Sequence, residues 1–216
     1  MIICDDHSSD NTLDRIKFFQ TKDSRIKLVK NKTNTGPAIA RNKSLSIATG
    51  RWLAFLDADD LWMKHKLEQT LKFAIQKDSA LTYTAYRKIS MDNSKIGCIK
   101  AVPETLTYEQ ILGNTAIATS TVLIDRKKVP DIKMKNTYYD DFVCWATILK
   151  SGFNAYGLNV DLVRYRTTYG SVSRNKIKSA IKVWETYRKE FKLGLIESFI
   201  FFMKYALNGI LKYSRF

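Results

Sequence analysis

Trp52-Leu53-Ala54-Phe55-Leu56-Asp57-Ala58-Asp59-Asp60 is the stretch on which the reading of this chain turns. The apolar run 52–56 predicts a buried strand that passes without a break into the carboxylates Asp57, Asp59 and Asp60. Like charges this close repel unless a cation neutralises them. Carboxylate oxygens favour hard ions such as Mg²⁺ or Mn²⁺, which also bind diphosphate oxygens. The plainer reading is an acidic turn. In it, Asp60 caps a helix over 61–76 that carries Met63, Leu67, Leu71 and Ala74 on one face.

Upstream, residues 1–4 read as a strand ending at Asp5, and Ser9-Asp10-Asn11-Thr12 is helix-capping chemistry ahead of Leu13, Ile16, Phe18 and Phe19. Residues 26–29 read as a second strand. Asn34-Thr35-Gly36-Pro37 is a turn with Pro37 in the first helical position, and the helix that follows runs to Gly50. This β-α-β-α-β-α order implies an α/β fold, a three-layer α/β/α sandwich with a mostly parallel sheet. Asp5 and Asp57 then both stand at carboxyl ends of strands, where open α/β sheets bind ligands. An acid closing a buried strand, Asp5 or Asp6, suits a nucleobase N–H; His7 reads as a solvated loop residue.

Downstream, residues 81–89 alternate as a strand, 95–102 return as a hairpin, and 121–124 and 156–166 supply further strands. Residues 140–150 predict a helix opened by Asp140 and Asp141, favourable beside a helix N-terminus. The composition fits an ordinary globular protein: 216 residues, 45% apolar and 26% charged. That excludes disorder, collagen and a disulfide scaffold. Cys4, Cys98 and Cys144 are an odd, scattered set, and with only His7 and His65 a zinc site or histidine triad is disfavoured. A reducing cytosol fits. The start, Met1-Ile2-Ile3-Cys4-Asp5-Asp6, lacks the pattern of a secretory leader, and there is no GxGxxG or Walker loop.

Lys+Arg 36 against Asp+Glu 21 gives 36 − 21 = +15, a charge that attracts anionic partners. Much of it lies in 174–216, read as a basic amphipathic helical tail after a domain over 1–173. Ile177, Ile181, Trp184 and Phe191 form one stripe of this tail. Beyond residue 193, Glu197, Lys204, Asn208, Lys212 and Arg215 fall in a narrow polar stripe on an otherwise apolar helix. Charges recur too often for a spanning helix; a helix at a membrane interface, or one packed on the domain, fits.

Ile3-Cys4-Asp5-Asp6-His7-Ser8-Ser9-Asp10-Asn11-Thr12 resembles the "VDDxSxDxT" segment of family 2 glycosyltransferases. Asn34, Gly36, Pro37, Ala40, Arg41, Asn42, Ala48 and Gly50 resemble its "N-x-G-x-x-x-ARN…A-x-G" stretch, and residues 55–60 its "FLDADD" metal motif. The resemblance implies a Rossmann-like GT-A fold and sugar transfer, with inversion, from a nucleoside diphosphate sugar, a UDP-sugar first among them. It implies Mg²⁺ or Mn²⁺ on Asp57 and Asp59, and donor contacts from Asp5, Asp6, Arg41 and Asp57. Tyr138-Tyr139-Asp140-Asp141-Phe142 resembles the family's "ED" pair, with Asp140 in place of Glu and Asp141 as the base. The chemistry asks for such a group, because an acceptor hydroxyl must lose its proton as it attacks. Trp145, one turn on, would flank the acceptor sugar or fill the core. Arg164-Tyr165-Arg166-Thr167-Thr168-Tyr169-Gly170-Ser171-Val172-Ser173 resembles a "YRxHxxSxS" segment with Thr168 for His, leaving Arg166 to supply positive charge.

Family and tail together point to a polyprenyl-diphosphate-linked saccharide acceptor at the cytoplasmic membrane surface, in bacterial surface polysaccharide (O-antigen or capsule) synthesis. Relatives usually open with a "VSIIIPxYN" strand and a helix ahead of the segment that starts here. The sequence therefore reads as lacking the family's first strand and helix. Two rival readings follow: an inactive remnant that only binds nucleotide or a partner, and a basic nucleic-acid-binding protein, against which no RRM- or OB-type platform is recognisable.

Overall fold

The computed structural model describes residues 1–167 and 176–213. The chain opens with β1 (Ile2–Asp5), α1 (Thr12–Lys22), β2 (Lys27–Lys30), α2 (Pro37–Ser46) and β3 (Trp52–Ala54). β1 and β2 pair in parallel as a two-stranded sheet, Ile2 against Lys27 and Asp5 against Lys30. Gly36 takes φ +86°, a left-handed conformation that glycine adopts without penalty, and Pro37 starts α2 behind it. α2 stops at Ser46, short of the expected Gly50.

After the acidic loop come β4 (Leu61–Trp62), α3 (Lys66–Gln76), β5 (Leu81–Ile89), β6 (Ile96–Lys100), β7 (Thr105–Leu106), α4 (Tyr108–Leu112), a 3₁₀ turn (Thr119–Thr121), β8 (Leu123–Asp125), α5 (Asp140–Lys150), β9 (Ala155–Arg166), α6 (Lys176–Lys189) and α7 (Leu195–Tyr213). Seven strands form one sheet in the order β3-β8-β5-β9-β4, with β6 added on β5 and β7 on β9. Its long central pair, β5–β9, is parallel, and the other pairs are antiparallel. The fold is α/β as expected, with a mixed sheet in place of a mostly parallel one. β6 returns from β5 through a short turn at Asp92–Ser94, which permits only antiparallel pairing.

Successive residues of a strand point to opposite faces. In β5, Leu81, Thr82, Tyr83, Thr84 and Ala85 are all fully buried, so both faces of the sheet centre are covered. The apolar side of α5, with Phe142, Val143, Trp145, Ile148 and Leu149, joins Leu81, Tyr83, Val122 and Ile124 in the core.

Three local expectations are corrected. Residues 61–76 are not one helix: Leu61 and Trp62 pair with Arg164 and Val163 of β9, and the helix starts only at Lys66. Asp60 is not its cap. It is buried, and its carboxylate accepts the Arg166 backbone N–H at 2.8 Å. In α6 the buried side carries Ser179, Val183, Thr186 and Tyr187, and Ile181 is exposed. The residues quoted for the downstream resemblance beyond Thr167, Thr168 among them, lie outside the described residues.

Candidate active site

Four chain segments converge through side chains rather than through the sheet. Arg41, on α2, donates Nη2 to Asp57 Oδ1 at 2.5 Å and Nη1 to Asp140 Oδ2 at 2.8 Å. One guanidinium therefore joins the loop after β3 to the first turn of α5. A planar, permanently charged fork suits this two-sided role. The Arg41 and Asp140 side chains are largely buried, so each charge depends on its partner. α2 is itself tied to the segment that leads into α5: Asn42 donates to the Met134 carbonyl at 2.7 Å and accepts the Met134 N–H at 2.9 Å.

The 3₁₀ turn closes a ring. Ser120 Oγ accepts the Asp57 backbone N–H at 3.0 Å, and the neighbouring Thr119 donates its hydroxyl to Asp141 Oδ2 at 2.9 Å. Asp141 Oδ1 accepts the Phe142 N–H at 2.7 Å, an amide at the open end of α5. Burial pushes the Asp141 carboxyl above its ordinary value, and the adjacent Asp140 charge adds to this; Thr119, the Phe142 amide and Arg41 oppose it. Asp140 is tied to Arg41, while Asp141 has raised proton affinity, which suits a proton acceptor. Thr119 and Ser120 were not singled out in the sequence, where Ala118-Thr119-Ser120-Thr121 carries no motif.

The acidic loop is pinned from the other side by Arg166. Its Nε donates to the Asp59 carbonyl at 2.7 Å, and its Nη1 reaches the Met91 carbonyl at 2.8 Å and Asn93 Oδ1 at 2.7 Å. Arg166 therefore spends these donors on shaping the loop, a use that its expected donor contact did not include. Asp59 itself is exposed. Asp60 is raised to about 6 by burial, against hydrogen bonds from Ser120 and Arg166, with Asp57 and Asp59 adding to the rise.

Asp5 is buried at the end of β1; Ser8 N–H lies 3.4 Å from its Oδ2, and its Oδ1 has no hydrogen-bond partner. Asp6 is saturated. It accepts Asn31 Nδ2 at 2.6 Å, Thr35 N–H at 2.9 Å, Thr35 Oγ1 at 2.8 Å and Gly36 N–H at 2.7 Å. Burial would raise this carboxyl, but those donors outweigh it and hold it at about 2. Asp6 thereby fastens the end of β1 to the start of α2, which carries Arg41. His7 is exposed with φ +70° in the turn between β1 and α1.

Trp145 is a correction. It is fully buried, with its ring centroid 5.6 Å from that of Phe55, so it fills the core and presents no face to a sugar.

Asp57, half-buried with one oxygen on Arg41, and the exposed Asp59 are hard oxygen donors on one loop. Among the described residues, no three His, Cys, Asp or Glu side chains gather into a metal cage. Mg²⁺ does not require one: it is commonly held by one or two carboxylates and completed by substrate phosphates and water. The residues fit a divalent ion of that kind.

A family model, glycosyl transferase family 2, matches residues 1–131. The chain is 41% identical over 213 residues to TuaG of Bacillus subtilis (strain 168), by name a teichuronic acid biosynthesis glycosyltransferase, covering 98% of this chain and 84% of that protein. It is 34% identical over 216 residues to WfgD of Escherichia coli, named UDP-Glc:alpha-D-GlcNAc-diphosphoundecaprenol beta-1,3-glucosyltransferase, covering 99% and 83%. Among solved structures, Staphylococcus aureus TarS 1–349 in complex with UDP-GlcNAc superposes with a TM-score of 0.67 at 17% identity, over 95% of this chain and 62% of that one. This chain thus spans about three fifths of that solved protein, and the likeness is one of fold, the GT-A type. Motifs, fold and relatives matched over nearly the whole of this chain agree, and the chain belongs to glycosyl transferase family 2 as a glycosyltransferase.

Proposed function

We propose that the chain transfers a sugar, with inversion, from a nucleoside diphosphate donor to a lipid-linked saccharide in the assembly of a bacterial surface polysaccharide. The observation that carries this is the Arg41 bridge, which brings the acidic loop and the Asp140–Asp141 pair to one place. The donor is a UDP-sugar, in keeping with the substrate in the name of WfgD. The acceptor is a polyprenyl-diphosphate-linked saccharide, and the enzyme works at the cytoplasmic face of the membrane.

The steps follow from the chain's own residues. Asp5, with its unpartnered buried oxygen, receives a nucleobase N–H at the end of β1. Asp141 takes the proton of the acceptor hydroxyl as that oxygen attacks the anomeric carbon on the side opposite the diphosphate. The new C–O bond forms as the bond to the diphosphate breaks, its electron pair leaving on the nucleoside diphosphate. Thr119 and the Phe142 amide hold Asp141 in position, and Asp140 keeps Arg41 facing the site. A Mg²⁺ or Mn²⁺ ion held by Asp57 and Asp59 would supply positive charge against the departing diphosphate.

The test is transfer from radiolabelled UDP-sugars to an undecaprenyl-diphosphate-linked monosaccharide, with Mn²⁺ or Mg²⁺ supplied or chelated. Wild type should give metal-dependent product, Asp59→Ala should not, and Asp141→Asn should lose at least about 100-fold in rate. Nucleotide binding by calorimetry without turnover on any acceptor, or undiminished transfer by Asp141→Asn, overturns the reading.

A further inference from the structure

α7 has two apolar sides, and the domain uses one of them. Towards the domain lie Ser198, fully buried, and the half-buried Phe201, Phe202 and Tyr205, which pack on the core. Phe202 meets Trp184 of α6 edge-on at 5.8 Å, and Asn208 donates to the Gly113 carbonyl at 2.9 Å. The outward side carries Leu195, Ile196, Phe199, Ile200, Met203 and Leu207, each between 43% and 78% exposed. At about 100° per residue these six fall within an arc of about 140°. An unbroken row of large apolar side chains on a surface helix marks an interaction face.

The charge around this face chooses the partner. Residues 174–216 hold ten Lys and Arg against three Glu. At the α6–α7 corner, where the row begins, Lys189 and Lys192 are exposed, and Lys204 is exposed along α7. The acid of the first turn, Glu197, is occupied, accepting the Gly194 N–H at 3.0 Å. Apolar rows flanked by lysines bind lipid surfaces with anionic headgroups. No helix among the described residues is long and apolar enough to cross a membrane, so the contact is one of lying on the surface.

α7 also connects to the chemistry. Tyr139 donates its hydroxyl to the Ser179 carbonyl of α6 at 3.3 Å, and Phe142 packs edge-on at 5.7 Å against Phe191, in the link between α6 and α7. Tyr139 and Phe142 flank Asp140 and Asp141. α7 is thereby linked, through α6 and the α6–α7 corner, to the helix that opens with the acid pair.

We propose that the outward face of α7 inserts into the headgroup layer of an anionic lipid surface and sets the Asp140–Asp141 pair at the level of a lipid-borne acceptor. The purpose of this contact rests on the acceptor reading above; the contact itself does not.

The experiment is flotation of the full chain with phosphatidylcholine vesicles, with and without phosphatidylglycerol. It compares wild type, the triple variant Ile196→Glu/Phe199→Glu/Leu207→Glu and the double variant Lys189→Glu/Lys192→Glu, with circular dichroism as the control for folding. All five positions are exposed. Wild type should float with the anionic vesicles, and each variant should lose at least about tenfold in partitioning. Equal flotation of the folded triple variant overturns the proposal. So does absence of wild-type binding, or concentration-dependent dimerisation in ultracentrifugation that the triple variant abolishes while vesicles are ignored. Transfer assays separate the two readings: the triple variant should keep turnover on detergent-dispersed acceptor and lose it on vesicle-embedded acceptor. No transfer by wild type in either format defeats the acceptor reading and leaves the flotation result standing.

Discussion

Thr119 donates its hydroxyl to Asp141 across 2.9 Å, from a 3₁₀ turn whose next residue holds the Asp57 amide. The base candidate and the acidic loop are therefore positioned by adjacent residues of one short turn.

Asp141→Asn should lower kcat by about 10²- to 10⁴-fold, the usual worth of a positioned proton acceptor. Burial raises the Asp141 carboxyl, so the acid limb of the wild-type kcat profile should fall above the ordinary carboxylate range, with activity growing as pH rises through it. Thr119→Val removes a hydrogen bond that favours the charged form and should move that limb higher still. A rate profile of both proteins over the acidic range checks the sign.

Arg41→Met should leave Asp57 and Asp140 facing one another without their shared cation. With Arg41 and Asp140 largely buried, the cost should be about 3 kcal/mol in urea unfolding. Arg41→Lys should recover part of the stability and little of the turnover, because an ammonium cannot grip two carboxylates as a fork.

Asp6 is held at about 2, below its unfolded value, by Asn31, Thr35 and Gly36. Its stabilisation is fully present above the unfolded value and should be lost as pH falls through about 2. Asp6→Asn should lower Tm at neutral pH and flatten the loss of Tm below pH 4, as read by scanning calorimetry.

Lys66 is buried at the start of α3, its Nζ 4.2 Å over the Trp62 ring and 3.5 Å from the Val122 carbonyl. Burial lowers it to about 7. Between there and its unfolded value the unfolded chain binds the extra proton, so stability rises with pH across this interval. Lys66→Met should erase that rise between about pH 7 and 10, and wild type should gain on the variant throughout it.

The sequence spoke most clearly where local chemistry and tertiary use agree. α5 begins at Asp140 and ends at Lys150, as its paired acids and apolar run foretell, and β5 covers 81–89. Leu61 and Trp62 read as helix because they run without a break into the apolar face of Met63, Leu67 and Leu71. Only their pairing with Arg164 and Val163, and the Trp62 Nε1 bond to the Ser120 carbonyl at 2.7 Å, make them a strand. In α6 two helical stripes overlap, and the partner surface selects Val183 and Tyr187 over Ile181. The acids of the site were legible as residues, but their partners were not. Arg41 reaches Asp140 across 99 positions and Thr119 reaches Asp141 across 22, separations at which a single sequence carries no pairing information.

Because a single guanidinium serves both Asp57 and Asp140, the acidic loop and the first turn of α5 share an electrostatic account. Whatever draws Arg41 towards the loop weakens the positive potential at α5 and tightens the hold of Asp141 on a proton. By linkage, protonating Asp141 relaxes the pull of α5 on Arg41 in return. Occupancy on one side and basicity on the other are reciprocally tuned through one side chain.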